Sequence, residues 1–273
     1  MNNIAIVFQL AKKDILNPRY YRRLVLCFFI ILVYFVLFLG ESMEFARELG
    51  LRINVLEPIL SLLATDFTHI LFMGALLFLI SDAPFRDKGD YYIVYRVGRL
   101  RWLSAKIMVM VYFVLLFVLV ALLASLVFTL PAPEFKLTFS EFIQKPIVGG
   151  VNVGRHIEMG ENILTNYTLM EGMLKSSLLF ILWSSILGMI IVNCNLKYQR
   201  VVGVLMAFIP VVADKVITEV SLSANKGYLY YLRLGNLGQG DFLISVAVMV
   251  LVILALIALS LIQVGRHSMH EKE

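Results

Sequence analysis

The stretch Asp82–Lys106, DAPFRDKGDYYIVYRVGRLRWLSAK, sits between two long apolar runs and carries Arg86, Lys88, Arg96, Arg99, Arg101 and Lys106. Short loops this rich in arginine and lysine stay on the cytoplasmic side of a membrane. One segment therefore orients everything around it. Its apolar, aromatic and charged residues alternate throughout, which is more pattern than a passive connector needs. The expectation is a folded surface that faces the cytoplasm and receives a force-generating partner.

The rest of the chain supplies the membrane. Of 273 residues, 60% are apolar and 16% charged, and the mean hydropathy is +0.86. Soluble domains are about 45–50% apolar and about 25% charged, so the composition predicts an all-α integral membrane protein. A crossing helix needs about 20 predominantly apolar residues. Six segments meet or approach that length: 24–40, 59–81, 103–130, 176–193, 201–217 and 242–264. The first is not expected to be a cleaved signal peptide, because no small-residue cleavage site follows its apolar core and further spans do. Cys27 and Cys194 fall in or beside separate spans, so free thiols are expected rather than a disulfide framework.

Loop charges give the direction of threading. With the N-terminus inside, fifteen of the 24 basic residues and six of the 19 acidic ones lie in the cytoplasm, an inner balance of +9 against −4 outside. The bias of lysine and arginine selects N-in, C-in with six crossings. Topology accounts for the basic balance, and no nucleic-acid partner is called for.

Residues 2–16 read as an amphipathic helix, with Ile4, Val7, Phe8, Ala11 and Ile15 in one stripe and Gln9, Lys12 and Lys13 away from it. Ile6 and Leu10 interrupt that pattern. Asn17-Pro18 ends the helix, since a residue before proline avoids the α region. The expected result is an interfacial helix on the inner leaflet with an elbow into the first span. On the other side, 41–58 is short and acidic. The extracytoplasmic segment 131–175 is the largest, with Pro131, Pro133, Pro146 and Gly149-Gly150; at about 45 residues it is too small and polar to build a core of its own. The fifth span is short, because its charge-free part Val201–Ala213 is about 20 Å long and contains Pro210. It is expected to run into broken turns held at the headgroups by Tyr228, Tyr230 and Tyr231. No internal repeat or low-complexity tract appears, so 1–273 reads as one membrane domain.

The chain carries no motif for catalysis. It has no Gly-Lys dipeptide, which an ATP-binding P-loop requires, no HExxH and no GxSxG. His69, His156, His267 and His270 lack partners at metal-ligand spacing, and no metal site is expected. Asp66 and His69 stand at i, i+3 on the second span and share a face, with Asp66 roughly 10 Å in from Ile59. Ionisable groups inside spans are costly and mark functional candidates; a substrate path and a local ion pair both fit.

Six spans with both termini inside and an N-terminal interfacial helix resemble the type-2 ABC-transporter permeases, the exporter class for drugs, peptides, lipids and polysaccharides. The loop between spans two and three strengthens the resemblance: Arg86-Asp87-Lys88-Gly89 as a charged turn, Tyr91–Tyr95 as an apolar stretch, Arg96-Val97-Gly98-Arg99 as an arginine-bearing turn, then Trp102-Leu103 and Lys106. Asn17-Pro18-Arg19 looks like that family's elbow. Segment 131–175 is longer than a minimal member's, and no ATPase follows the sixth span. The resemblance implies a transport subunit rather than an enzyme, multi-pass in a bacterial plasma membrane. Its partners would be a second permease copy or a sibling permease, membrane lipid, and a soluble ABC ATPase that holds the ATP and Mg. That partner would dock on a helical coupling loop through Arg86, Asp87, Lys88, Gly89, Arg96, Arg99, Trp102 and Lys106, with Tyr91, Tyr92 and Trp102 at the headgroup level. An apolar path would suit an amphiphile such as a peptide, lipid or drug. Two other classes stay open on the residues alone. One is a membrane enzyme using Asp66, His69 or the aspartates of 82–90; the other is a sensory or immunity protein binding through 131–175.

Overall fold

A computed structural model describes residues 3–64, 66–85, 90–131, 133–144, 147–148, 151–152, 161–198, 200–220 and 241–266. In chain order these form α1 (Asn3–Ile15), α2 (Pro18–Glu48), β1 (Ile53–Asn54), α3 (Glu57–Ala64), α4 (Asp66–Ile80), α5 (Asp90–Val97), α6 (Arg99–Thr129), β2 (Pro133–Glu134), α7 (Glu141–Gln144), β3 (Ile147–Val148), β4 (Val151–Asn152), α8 (Glu161–Asn166), α9 (Leu169–Lys197), α10 (Arg200–Val220) and α11 (Asp241–Arg266). The fold is overwhelmingly helical. Among the described residues four helices, α2, α6, α9 and α11, are long and apolar enough to cross a membrane; the apolar runs Leu71–Ile80 and Val201–Ala213 are shorter.

Local chemistry explains the boundaries. Asn17 caps α2, its side-chain oxygen accepting from the Arg19 amide at 3.1 Å, and Pro18 occupies the first turn, where its missing N–H costs nothing. Thr168 caps α9 by accepting from the Glu171 amide at 3.3 Å, so this helix begins seven residues ahead of the apolar run that the sequence marks. Gly98, at φ +94°, separates α5 from α6 in a backbone conformation that suits glycine.

Within the expected second span 59–81, α3 and α4 supply the described helix on either side of residue 65, which lies outside the described residues. The expected fifth span, 201–217, lies within α10, which runs through Pro210 to Val220. A proline inside a helix loses one hydrogen bond, and here α10 is held along α9 and α4, so neighbours hold what the backbone bond does not. The tyrosines expected to follow it lie outside the described residues. Segment 131–175, expected to be too small for a core of its own, contributes to the main one. Phe139, Phe142, Ile163 and Leu169 are buried in the main core, and β2 pairs with β1 in parallel, Ile53 opposite Pro133 and Asn54 opposite Glu134.

The centre belongs to α6 and α9. α6 packs against α1, α2 and α9, while α9 also takes α10 and α11. Phe72, Phe117 and Phe180, from α4, α6 and α9, meet with ring centroids 4.7 Å apart for both Phe72 pairs. In its most apolar stretch α9 is 61% buried, whereas α11 is 11% buried. The outer faces of α2, α10 and α11 expose Phe29, Leu37, Leu205, Ile209, Leu243 and Leu251. Apolar exteriors this extensive suit lipid rather than water.

Two glycines mark close helix contacts on α9. A β-carbon at Gly203 would strike the Asn195 side-chain oxygen and come within 3.1 Å of the Ile191 carbonyl; one at Gly188 would meet only the Met110 side chain. Methionine is flexible and can turn away, but a backbone carbonyl cannot. Gly203→Ala is therefore expected to cost about 1–3 kcal/mol, and Gly188→Ala less. Thermal unfolding in detergent decides; equal losses would show that the α9–α10 contact has slack.

Candidate functional site

The most unusual chemistry lies at the end of the bundle where α1, α5 and the start of α6 meet. Lys106 faces inward on α6, with Trp102, Leu103, Val109, Met110 and Phe113 around it, all buried. Its Nζ lies 2.8 Å from an Asp14 oxygen on α1 and 2.8 Å from an Asp90 oxygen on α5, and it donates to the Phe85 carbonyl at 2.9 Å. The ammonium side chain is 4% exposed and the two carboxylates 7% and 8%. Trp102 donates from its indole nitrogen to the same Asp90 oxygen at 3.3 Å, and the Lys106 ammonium lies 5.7 Å from its ring centroid. Three elements are thus joined at one buried nitrogen.

Burying charges is expensive, and a buried pair contributes little net stability over an apolar substitute. Removing one partner is another matter, because it leaves the others charged and dry. The arrangement therefore fixes which helices lie together more than it adds stability.

The turn ahead of α5 is gripped just as closely. Asp82 pairs with Arg23 at 2.9 Å and Arg19 at 3.1 Å, and Arg23 also donates to Ser81 Oγ at 3.1 Å. Asn195, on α9, donates to the Ala83 carbonyl at 2.5 Å and the Ser81 carbonyl at 3.3 Å. Phe85, at φ +55°, packs between Tyr20 and Phe113 with centroids 5.1 and 5.7 Å away. A non-glycine residue in that conformation carries backbone strain, and here its carbonyl is the one Lys106 holds. α2, α6 and α9 all clasp this turn.

α5 has two faces. Asp90 and Val94 are buried, while Tyr92 is 76% and Tyr95 75% exposed, with Arg96 exposed beside them. Positions 92, 95 and 96 share one side of a helix. Arg99, at the start of α6, donates to the Val264 and Gly265 carbonyls at 3.1 and 3.3 Å, the last turn of α11, where a cation also meets the negative end of the helix dipole.

The residues expected to dock a partner thus divide. Trp102 and Lys106 lie in the interior, where a buried ammonium and indole hold the loop instead of meeting a soluble protein. Trp102 is likewise no headgroup anchor. Arg99 is engaged with α11. Arg96 is at the surface. Arg86, Asp87, Lys88 and Gly89 lie outside the described residues. Asp66 and His69 fall in the first turn of α4, and their side chains lie outside the described part. Asp14, Asn195 and Phe85 escaped the sequence reading. For Asp14 a signal existed: Val7, Leu10 and Ala11 stand seven, four and three residues before it, so an acid sits on the apolar face of α1. Among the described residues no group of three His, Cys, Asp or Glu side chains could hold a metal ion, and Cys27 and Cys194 are free.

A second polar centre closes the other end of the bundle. Glu57, fully buried, accepts from the Asn54 amide at 2.9 Å, the Ser140 amide at 2.6 Å and Ser140 Oγ at 2.8 Å. Ser125 Oγ donates to the Val55 carbonyl at 2.5 Å, and Asn54 to the Lys136 carbonyl at 2.6 Å. Burial pushes the Glu57 carboxyl up to about 7, against the three donors that favour its charge; nearby Glu134 adds to the rise.

Comparison with protein-family models, curated proteins and solved structures gives no significant match.

Two outcomes follow from these centres. Lys106→Met strands two buried carboxylates and should lower stability by about 3–5 kcal/mol, whereas the exposed Lys12→Met should change it by less than about 0.5 kcal/mol; equilibrium unfolding in detergent reads both. For Glu57 the folded group titrates above an unfolded carboxyl near 4.3. Its stabilisation is full below about pH 4.3 and is lost as pH rises through about 7, to an extent of roughly 3 kcal/mol. Glu57→Gln should flatten the fall in melting temperature between pH 5 and 8. An unchanged slope would assign that titration to another group.

Proposed function

We propose that this chain is the membrane-spanning subunit of an ATP-driven exporter, with α5 as the coupling helix on which a separate ATPase subunit docks. Both termini lie in the cytoplasm, α4 with the part of α3 from Ile59 onward forms the second crossing, and α10 the fifth. The chain itself holds no nucleotide machinery; ATP and Mg belong to the partner, and the permease works as a pair with a second copy or a sibling.

The observation that carries this reading is the two-sided character of α5. One face is fastened to the bundle through Asp90, Lys106 and Trp102; the other offers Tyr92, Tyr95 and Arg96. Tyrosine and arginine are the residues most enriched where binding energy concentrates, and arginine suits bidentate contact with a carboxylate. A push on the outer face of α5 cannot be absorbed locally. Lys106 passes it to α1 and α6, and the turn at 82–85 passes it to α2 and α9. Arg99 links the same junction to the last turn of α11. Rigid displacement of these helices would open an apolar path to one side and then the other, which suits an amphiphilic cargo such as a peptide, lipid or drug.

The test is co-purification in detergent with a Walker-motif ATPase from a neighbouring reading frame; the lack of any such frame would itself count against this reading. Tyr92→Ala with Arg96→Glu should weaken co-purification and chain-dependent ATP hydrolysis by about 30-fold or more, the effect of losing a binding hot spot, while the melting temperature of the isolated chain stays put. Assembly and turnover that survive both substitutions would remove α5 from the docking surface.

A further inference from the structure

α1 has two flanks with different surroundings. Ala11 and Asp14 are buried, and Val7 and Leu10 half-buried, on the side that meets α6. On the other flank Ile4 is 65% and Phe8 60% exposed, and Leu16, just beyond the helix, is 60% exposed. Lys12, one turn after Phe8, is exposed, as are Lys13 and, past the elbow, Arg22. α1 ends at Ile15 and the membrane-length helix α2 starts at Pro18. That short connection keeps α1 at the level where a span enters the headgroups, so the surface its free flank meets is the bilayer. Exposed phenylalanine and isoleucine suit the acyl boundary, and lysines beside them suit anionic headgroups.

We propose that the free flank of α1 binds anionic phospholipid of the cytoplasmic leaflet, and that the buried contact from Asp14 through Lys106 to Asp90 transmits this binding to α5. The lipid and Lys106 grip α1 from different sides. When α1 is seated on lipid, Asp14 is held against Lys106, and Lys106 in turn holds Asp90 at the start of α5. When α1 lifts, Lys106 loses one of its three oxygen partners and its ammonium can shift, carrying Asp90 with it, so α5 is held less tightly. The inference rests on the N-in orientation proposed above and needs no ATPase, so the two ideas fail separately.

Hydrogen exchange of the full chain in nanodiscs tests it, comparing phosphatidylcholine alone with phosphatidylcholine containing a third phosphatidylglycerol, without nucleotide or partner. The wild type should show slower exchange in both α1 and α5 when the anionic lipid is present, by about fivefold, the factor contributed by one lysine at an anionic surface. Lys12→Glu, a surface change that leaves the buried contact intact, should abolish the slowing in both helices. Asp14→Asn should keep it in α1 and lose it in α5. Exchange in α1 that ignores phosphatidylglycerol would overturn the binding site. A lipid response in α1 with none in wild-type α5 would overturn the transmission. Should Asp14→Asn fail to fold, the Lys12→Glu comparison decides alone: the proposal is overturned if α5 keeps its slowing while α1 loses it.

Discussion

One ammonium group organises the end of the bundle where α1, α5 and α6 meet. Lys106 enters the protein interior on α6 and meets carboxylates from two elements far apart in sequence, Asp14 and Asp90. Hydrophobic packing alone would leave α1 and α5 free to slide, because apolar contacts carry no direction. A buried charge is different. It must have its partners in hydrogen-bonding range or incur the desolvation penalty unrelieved, so the positions of α1 and α5 relative to α6 are fixed together.

That constraint gives meaning to the softer features nearby. The strained backbone at Phe85 is held because its carbonyl serves Lys106 and its ring fills the space between Tyr20 and Phe113. The turn at 82–85 draws donors from α2 and α9, and Arg99 reaches the end of α11. At the opposite end Glu57 does a comparable job with uncharged donors, tying α3 to residue Ser140 beyond the β1–β2 pair. The bundle is thus clamped at both ends by polar groups and filled between them by aromatic and aliphatic packing around Phe72, Phe117 and Phe180.

Much of this was legible in the residues, and what was not has clear physical causes. Composition and apolar runs announced a helical membrane protein, and Asn17-Pro18 marked where α1 gives way to α2. Helix ends were harder. α9 starts at Leu169 because Thr168 caps it, and α10 passes Pro210 because α9 and α4 support it; both depend on partners that a one-dimensional pattern does not contain. The loop 82–106 stood out by charge, yet charge does not tell whether a side chain points out or in. Arg96 and Lys106 look alike in sequence, ten residues apart, and one is at the surface while the other is 3% exposed. The spacing of Val7, Leu10 and Ala11 before Asp14 held a signal for the acid, whereas Lys106 stood out only as one of the loop's charges. Only the tertiary arrangement brings them together.

The central claim is that α1, α5 and the start of α6 form one rigid unit around Lys106. Pulsed electron–electron resonance measures it most directly, with spin labels at Lys12→Cys and Arg96→Cys in a chain whose native cysteines, Cys27 and Cys194, are replaced by alanine. A single narrow distance distribution that broadens on Lys106→Met is the result the account predicts. A distribution equally broad with and without the lysine, or equally narrow, would show that Lys106 does not join these helices.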